Sequence, residues 1–285
     1  MPRRRLLVLI LLGFASGLPL FLTGSTLKAW MTDEGLSLGT IGLFSFATLP
    51  YSLKVFWAPF LDRYALPGLG RRRGWLLLMQ GAMAAALVLL ARSEPHLDLL
   101  RVVVLALAVA VASATFDIAV DAWRAEALDQ KHLGLGNSIH IAAYRVAMLV
   151  SGGLALILAQ AFGWRTTYLG MAVLTLLGMA GTWLAENTDA VAPAPRTLQE
   201  AIAGPLKDLL RRRGIGYLLA FAFLTLALNE GLGLGVAYGI WAASGVALTA
   251  VASKALFKEP LTALMMGGIA LIIAGVLLVE LGALH

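Results

Sequence analysis

Residues 102–116 read VVVLALAVAVASATF, a stretch that contains no charged side chain. The apolar run extends from Leu99 to Val120, where Arg101 and Asp117 are the only charges. A helix needs about 20 apolar residues to cross the roughly 30 Å hydrocarbon core of a bilayer. This stretch therefore predicts a transmembrane helix.

The composition of the whole chain agrees with a membrane protein. Of its 285 residues, 60% are hydrophobic and only 13% are charged, and the mean hydropathy is +0.84. Soluble domains carry about 25% charged residues. Because nearly all of the length is needed for spans and short loops, a large soluble catalytic domain is excluded.

Apolar runs separated by charged or turn residues predict about nine transmembrane helices. Six lie in the first two thirds of the chain, and three follow a polar interval. The predicted fold class is an all-α, polytopic membrane helix bundle. The predicted spans are residues 6–27, 41–61, 75–91, 99–120, 139–162, 168–185, 216–228, 234–252 and 263–281.

The basic residues predict the orientation of this bundle. Most of the 22 lysines and arginines fall in loops on the side of the N-terminus. The opposite loops hold only Lys28, Arg92, Arg101 and Arg165. Cytoplasmic loops are enriched in Lys and Arg, so we expect the N-terminus in the cytoplasm. The net charge of +6 reflects this asymmetry, and no nucleic-acid partner is expected.

The only long polar stretch, residues 186–214, divides the chain. It contains Pro193 and Pro195, a helix-start pattern from Thr197 to Glu200, and the basic run 211–213. We therefore predict a six-helix half at 1–185, a cytoplasmic linker at 186–214 and a three-helix segment at 215–285. A polar interval after six spans is typical of the hinge between the halves of a secondary transporter.

Two aspartates in the fourth span are candidates for proton coupling. Charged residues inside a span cost roughly 2.5–3.5 kcal/mol each on insertion scales. Asp117 and Asp121 are four residues apart and share a helix face, with Asp117 the deeper. One interpretation is a carboxylate that binds and releases a proton during transport. The alternative is that Asp121, Arg124 and Glu126 form an ion-pair cluster at the helix end, while Asp117 pairs with a basic side chain of another helix.

Two basic residues inside spans are candidates for a substrate contact or an ion pair. Lys54 lies between Pro50 and Pro59, and Arg145 follows Tyr144 in the fifth span. Either cation could pair with Asp117 or bind an anionic substrate. The planar guanidinium of Arg matches a carboxylate with two parallel hydrogen bonds, which favours Arg145 for substrate binding or gating. A structural pair, or a side chain that reaches the interface, is the interpretation favoured for Lys54.

A loop motif joins the second and third spans: Ala58-Pro-Phe-Leu-Asp62-Arg63-Tyr, then Gly70-Arg71-Arg72-Arg73-Gly74-Trp75. It resembles the cytoplasmic loop motif of the Major Facilitator Superfamily. That resemblance implies that Asp62 and Arg63 pair across a helix interface, and that the following basic cluster helps to hold one conformational state. The alternative is simple anchoring of the loop by its positive charge.

A more specific resemblance extends over residues 1–213. The segments Thr23-Gly-Ser-Thr-Leu-Lys-Ala-Trp30, Asp117-Ile-Ala-Val-Asp-Ala-Trp-Arg124 and Tyr144-Arg-Val-Ala-Met-Leu-Val-Ser-Gly-Gly153 are similar to those of the AmpG-type muropeptide permeases. This similarity implies a multi-pass protein of the bacterial inner membrane. It also implies import of cell-wall muropeptides driven by the proton gradient.

The C-terminal segment, about 216–282, resembles the last three helices of the small multidrug resistance family. By that resemblance, Tyr238 and Trp241 line a site for cationic compounds, and Gly268 and Gly275 pack helices between subunits. The glycines could equally pack helices within one chain. The family's first helix, with its membrane-embedded glutamate, has no counterpart in this sequence.

Three interpretations of function remain open. The first, which we favour, is proton-coupled import of muropeptides, incomplete without a second half or a homodimer. The second is proton-coupled efflux of cationic drugs such as quaternary ammonium compounds. The third is a fused or truncated membrane protein without transport activity.

Enzymatic chemistry is not expected. The four histidines form no His-Glu-x-x-His pair, the chain has no cysteine and no Walker lysine, and no Gly-x-Ser-x-Gly elbow occurs. We therefore expect no catalytic residue, no metal and no cofactor. The expected partners are membrane lipid, protons and a small-molecule substrate.

Overall fold

The structure is a computed structural model, and it describes residues 1–190, 194–195, 197–211, 215, 268 and 275. The chain divides into two compact units, Met1–Ile202 and Ala203–His285. The predicted spans 216–228 and 234–252 lie outside the described residues, as do Tyr238 and Trp241. Of the predicted span 263–281, Gly268 and Gly275 are described, and both are helical.

The described residues form ten α-helices, together with two 3₁₀ segments at Phe44–Thr48 and Lys54–Phe56 and a π-helical turn at Val150–Leu154. The helices are α1 (Arg3–Thr23), α2 (Ser25–Asp33), α3 (Leu38–Leu43), α4 (Leu49–Leu53), α5 (Ala58–Arg63), α6 (Arg71–Leu90), α7 (Leu99–Ala127), α8 (Gln130–Leu149), α9 (Ala155–Leu184) and α10 (Leu198–Arg211).

Four helical runs are long and apolar enough to cross a membrane: Arg3–Asp33, Arg71–Leu90, Leu99–Ala127 and Gln130–Leu184. They contain most of the predicted spans of the first 185 residues. The apolar stretch 102–116 lies inside α7, so its prediction as a helix of membrane-spanning length is confirmed.

The longest of these runs, Gln130–Leu184, folds back on itself. A straight helix of its 55 residues would be about 80 Å long, more than twice the thickness of the hydrocarbon core. Gly163 interrupts the run with φ 79° and ψ 160°, a conformation that glycine adopts readily and other residues avoid. Arg5 contacts both ends, because its Nη1 lies 4.0 Å from Asp129 and its Nη2 lies 2.9 Å from Glu186. The segments before and after Gly163 are therefore antiparallel.

The prediction of one continuous helix at 41–61 is wrong. This part of the chain instead forms α3, α4 and α5, separated by the two 3₁₀ segments. Pro50 and Pro59 each lie in the first turn of a new helix. Proline has no backbone N–H and clashes with the preceding turn, so it starts helices and does not continue them. The count of nine uninterrupted helices is accordingly not supported.

Close packing of α1 against α8 depends on two glycines of α1. A Cβ added at Gly13 would lie 2.6 Å from the carbonyl oxygen of His140, and one added at Gly17 would overlap the carbonyl oxygen of Tyr144. Both obstacles are backbone atoms, which cannot move aside as a flexible side chain can. Gly13 and Gly17 are four residues apart, the spacing of small residues that lets membrane helices approach closely.

We predict that Gly17→Leu destabilises the protein by about 1–3 kcal/mol, the usual cost of inserting a side chain into a packed interface. The matched control is Gly170→Leu in α9, where an added Cβ meets no atom within 4 Å. The measurement is the midpoint of thermal unfolding in detergent. The same midpoint for both variants would contradict the packing of α1 on α8.

Candidate functional site

An ion-pair cluster joins the broken second span to α7 inside the apolar part of the bundle. Lys54 Nζ lies 3.8 Å from Asp117 Oδ2 and 4.0 Å from Asp121 Oδ2. The Asp117 side chain is 13% exposed and that of Asp121 is 51% exposed. Arg124 pairs with Asp121 at 2.8 Å, one turn further along α7. Asp117 is thus the buried member, and Lys54 is its counter-ion.

The break in the second span positions Lys54. The lysine begins the 3₁₀ segment between α4 and α5, which follows from the two prolines that flank it in sequence. Three residues later, Trp57 Nε1 donates a hydrogen bond of 3.1 Å to Thr115 Oγ1 of α7. This bond and the Lys54 ion pairs attach the irregular segment to α7.

Buried hydroxyl groups surround Asp117. Ser16 of α1 lies near its carboxylate, and Tyr51 lies near Ser113, one turn before Asp117. The oxygens of Ser16, Tyr51 and Ser113, and Oδ1 of Asp117, form no hydrogen bond of regular geometry with the described residues. A buried polar group without a partner costs about 1–3 kcal/mol. These oxygens consequently have capacity to bind a proton, water or polar substrate atoms.

Tyr144 lies near this cluster, and the described contacts of Arg145 do not include it. Tyr144 of α8 is half-buried and lies within electrostatic range of the Asp117 carboxylate. The Arg145 side chain is exposed, and its Nη1 lies 3.8 Å from the sulfur of Met148. Asp117 is therefore paired with Lys54 and not with Arg145, which leaves the guanidinium available to an anionic ligand.

A second cluster lies at the end of the bundle that holds the N-terminus. Arg71 Nη2 and Arg72 Nη2 lie 3.2 and 2.6 Å from Glu126 Oε1, and Arg72 Nη1 lies 2.7 Å from Asp62 Oδ1. The Arg71 and Arg72 side chains are 4% and 7% exposed. The loop motif thus fastens the start of α6 to the end of α7 through charge-assisted hydrogen bonds.

The pairing within this cluster differs from the expected Asp62–Arg63 pair. Asp62 pairs with Arg72, whereas Arg63 lies over the ring of Tyr64 at 5.5 Å and Arg73 over the ring of Trp183 at 5.8 Å. Consecutive residues of a helix do not face each other, which separates Asp62 from Arg63 in α5.

The chain after α9 completes this cluster. The Asp189 carboxylate accepts the backbone N–H of Arg71 at 3.1 Å, and Thr188 Oγ1 donates to Glu126 Oε2 at 2.5 Å. Asp189 caps the exposed N–H groups at the start of α6. Asp189 is absent from the sequence-based predictions. Glu126 appears there only in a helix-end cluster with Asp121 and Arg124, whereas in the structure it pairs with Arg71 and Arg72.

We predict that Glu126→Gln destabilises the protein by roughly 1.5–3 kcal/mol, because it removes the charge-assisted hydrogen bonds that the buried Arg71 and Arg72 side chains donate to their shared carboxylate. Asp129→Asn is the matched control, since the Asp129 side chain is 74% exposed and a surface change of this kind shifts stability by about 0.5 kcal/mol or less. Thermal unfolding in detergent compares the two. Equal midpoints would contradict a structural role for Glu126.

A pH-dependent contact lies outside the spans, at Glu186. The hydrogen bond from Arg5 lowers the pKa of Glu186 below its ordinary value of 4.5. A carboxyl group with a lowered pKa stabilises the fold above its unfolded-state pKa, and this contribution is lost as the pH falls through the folded-state pKa. We expect acidification below about pH 4.5 to lower the unfolding midpoint more in the unaltered chain than in Glu186→Gln. Parallel pH curves for both would contradict this contact.

Comparison with known proteins identifies relatives over most of the chain. A sequence model of the Major Facilitator Superfamily matches residues 9–284. The anhydromuropeptide permease of Escherichia coli K12 is 43% identical over 218 residues, which cover 76% of this chain and 44% of that protein. An uncharacterized protein of Haemophilus influenzae is 43% identical over 227 residues, covering 78% of this chain and 53% of its own.

A third relative is the putative transporter AmpG 4 of Rickettsia felis, which is 32% identical over 233 residues, or 78% of this chain and 56% of that protein. The chain spans about half the length of these curated relatives. The superfamily match also runs through the C-terminal segment, and nothing in the comparisons supports its resemblance to the small multidrug resistance family. The chain belongs to the Major Facilitator Superfamily, a family of membrane transporters and not of enzymes.

Proposed function

We propose that this chain is a multi-pass secondary transporter of the bacterial inner membrane that imports cell-wall muropeptides together with protons. The single observation that carries the proposal is the buried Asp117–Lys54 pair in a helix of membrane-spanning length, surrounded by hydroxyl groups with free hydrogen-bonding capacity. The relationship to a protein named anhydromuropeptide permease supports the substrate class.

Asp117 is the proposed proton carrier. While its carboxylate is charged, Lys54 holds the irregular second span against α7. A proton that binds Asp117 removes the negative charge and weakens this attachment, so the second span can move relative to α7. Loss of the proton to the other side of the membrane restores the pair. Asp121 is the proposed relay, because it shares Lys54 and is four times as exposed as Asp117.

Arg145 is the proposed contact for the anionic part of the substrate. Its guanidinium is exposed, and the described residues offer it no carboxylate partner. Tyr144 precedes Arg145 in α8 and lies within electrostatic range of Asp117, so substrate binding and proton binding would affect each other through neighbouring groups. Coupling of this kind is required of a transporter, because the two events must bias the same equilibrium.

The cluster of Asp62, Arg72 and Glu126 is the proposed conformational lock. It joins the ends of α5, α6 and α7 at the end of the bundle that the positive-inside rule assigns to the cytoplasm. Its ion pairs would stabilise one transport state, and their loss would shift the population to the other. We also propose residues 186–214 as the linker to the next membrane segment, 215–285.

In this family of folds the substrate site lies between two repeats. We propose that the second wall of the cavity comes from a second copy of this chain or from the sequence that makes its relatives longer. Efflux of cationic drugs has no support among the described residues, since Tyr238 and Trp241 lie outside them.

The proposal is tested by uptake of labelled anhydro-muropeptide at an inward proton gradient, in cells that express the full chain with and without a second facilitator half. Asp117→Asn should reduce uptake at least tenfold. The matched control is Asp98→Asn at the start of α7, where Asp98 accepts the N–H of Arg101 at 3.1 Å and Asn is an equally good cap.

Uptake by Asp98→Asn should equal that of the unaltered chain. Uptake that Asp117→Asn leaves intact would overturn the role of Asp117. Uptake no higher than the empty vector under both conditions would overturn the proposed function.

A further inference from the structure

A pocket of about 560 Å³ lies at the end of the bundle opposite the Glu126 cluster. It is bounded by the end of α2, the turn after α6 and the reversal at Gly163 in α9. Its lining is mixed, with indole rings beside charged side chains. The residues used below are Trp30, Glu34, Arg92, Glu94, Trp164 and Arg165.

The aromatic wall of this pocket is fixed in place. The rings of Trp30 and Trp164 stack with centroids 6.0 Å apart and an interplanar angle of 16°. Tyr168 supports Trp30 at 5.0 Å and donates its hydroxyl hydrogen to the Leu22 carbonyl. Trp30 is only 3% exposed, whereas Trp164 is half-buried. Trp164 is therefore the ring that can offer a face to a ligand.

The indole N–H of Trp164 points to a protein partner. It donates a hydrogen bond of 3.0 Å to Asp33 Oδ2. Tryptophans at membrane interfaces usually turn their polar edge to the headgroup region. Here the Asp33 carboxylate of α2 accepts that hydrogen bond. The orientation of the Trp164 ring is therefore fixed by a contact within the protein, as in a preformed binding site.

Two arginines beside this platform are available to a ligand. Arg92 and Arg165 are exposed, and within the described part of the chain neither forms an ion pair or a side-chain hydrogen bond. Glu34, by contrast, already has partners in the protein: it accepts a hydrogen bond of 3.2 Å from Trp30 Nε1 and lies 3.2 Å from His96 Nδ1. The exposed arginines can bind a carboxylate through two parallel hydrogen bonds.

This combination fits a sugar that carries a carboxylate. A pyranose ring has an apolar C–H face that stacks on an indole, and hydroxyl edges that exchange hydrogen bonds with charged side chains such as Glu94.

An apolar groove of about 810 Å³ beside the second span differs from the Trp164 pocket, because it is lined by Phe44, Leu53, Phe60 and similar residues without a charge. The groove suits lipid chains, whereas the pocket suits a soluble anion with one apolar face.

We propose that the Trp164 pocket is a second binding site, which takes the amino-sugar part of an acidic glycopeptide before it enters the central cavity. The inference rests on the proposed function for the identity of the transported substrate. In the proposed orientation the pocket faces the periplasm, where such a substrate would arrive. Trp164 supplies the stacking surface, and Arg92 and Arg165 supply the charge for the carboxylate.

The test uses the full chain in lipid nanodiscs with two probes, N-acetylmuramic acid and N-acetylglucosamine, which share the amino sugar and differ in the carboxylate. Saturation-transfer NMR titrations give the affinities. We expect saturable binding of both probes, tighter for N-acetylmuramic acid. Trp164→Ala should weaken both at least tenfold. The double variant Arg92→Gln, Arg165→Gln should remove the preference for the acidic probe.

Trp183→Ala is the matched control, because Trp183 is 60% exposed and contacts Arg73 of the opposite cluster. It should bind both probes normally. Trp164→Phe keeps an aromatic face but loses the hydrogen bond to Asp33, so it should bind both probes more weakly than the unaltered chain and more tightly than Trp164→Ala. Binding that Trp164→Ala leaves unchanged, or no saturable binding to the unaltered chain, would overturn the proposal. Displacement of the probe by anionic lipid alone would overturn it in favour of a headgroup site.

The Asp117→Asn variant separates this proposal from the proposed function. It should lose uptake and keep sugar binding, because Asp117 is outside the pocket. Muropeptide uptake by a chain that binds neither sugar would overturn the second site and leave the transport function standing. If the unaltered chain binds the sugars but takes up no muropeptide, the transport function would be overturned and the second site would stand.

Discussion

A charge inside a bilayer needs a partner, and the pairing of Lys54 with Asp117 meets that constraint at the irregular second span. The second span is broken at Pro50 and Pro59, so it cannot be held in place as one rigid helix. The ion pair and the Trp57–Thr115 hydrogen bond attach it to α7. The same pair places a carboxylate and its counter-ion among buried hydroxyls, so one interaction serves both the fold and the proposed transport chemistry.

The helix α7 connects several parts of the bundle. Its middle carries Asp117, and its end carries Glu126, which binds Arg71 and Arg72 and is reached by Thr188 from the chain after α9. A movement of the second span would therefore act on the same helix that the loop motif holds. The Trp164 platform stands apart at the other end of the bundle, fixed by its own stacking contacts. The proposed sugar site and the proposed conformational lock thus lie at opposite ends of the bundle.

Local patterns in the sequence predicted many of the helices. They did not predict which helices distant in sequence contact each other. Apolar runs marked the long helices, and the Thr197 pattern predicted a helix start at which Thr197 Oγ1 accepts the N–H of Glu200. The prolines of the second span were visible, but hydrophobic length alone predicted an unbroken helix. The close packing at Gly13 and Gly17 was not predicted, although small residues four apart in a membrane helix are a signal for it. The Trp30–Trp164 stack could not be foreseen, because periodicity does not say which distant helices meet.

The most direct test of the central claim is a double-mutant cycle on Lys54→Gln and Asp117→Asn, with free energies of unfolding measured in detergent at neutral pH. If the two side chains pair inside the membrane, each single variant leaves one charge without its partner. The double variant is then more stable than the sum of the two single effects predicts. We expect a coupling free energy of about 1 kcal/mol or more, within the range for contacting residues. Additive effects would show that Lys54 and Asp117 do not interact, and would contradict the account.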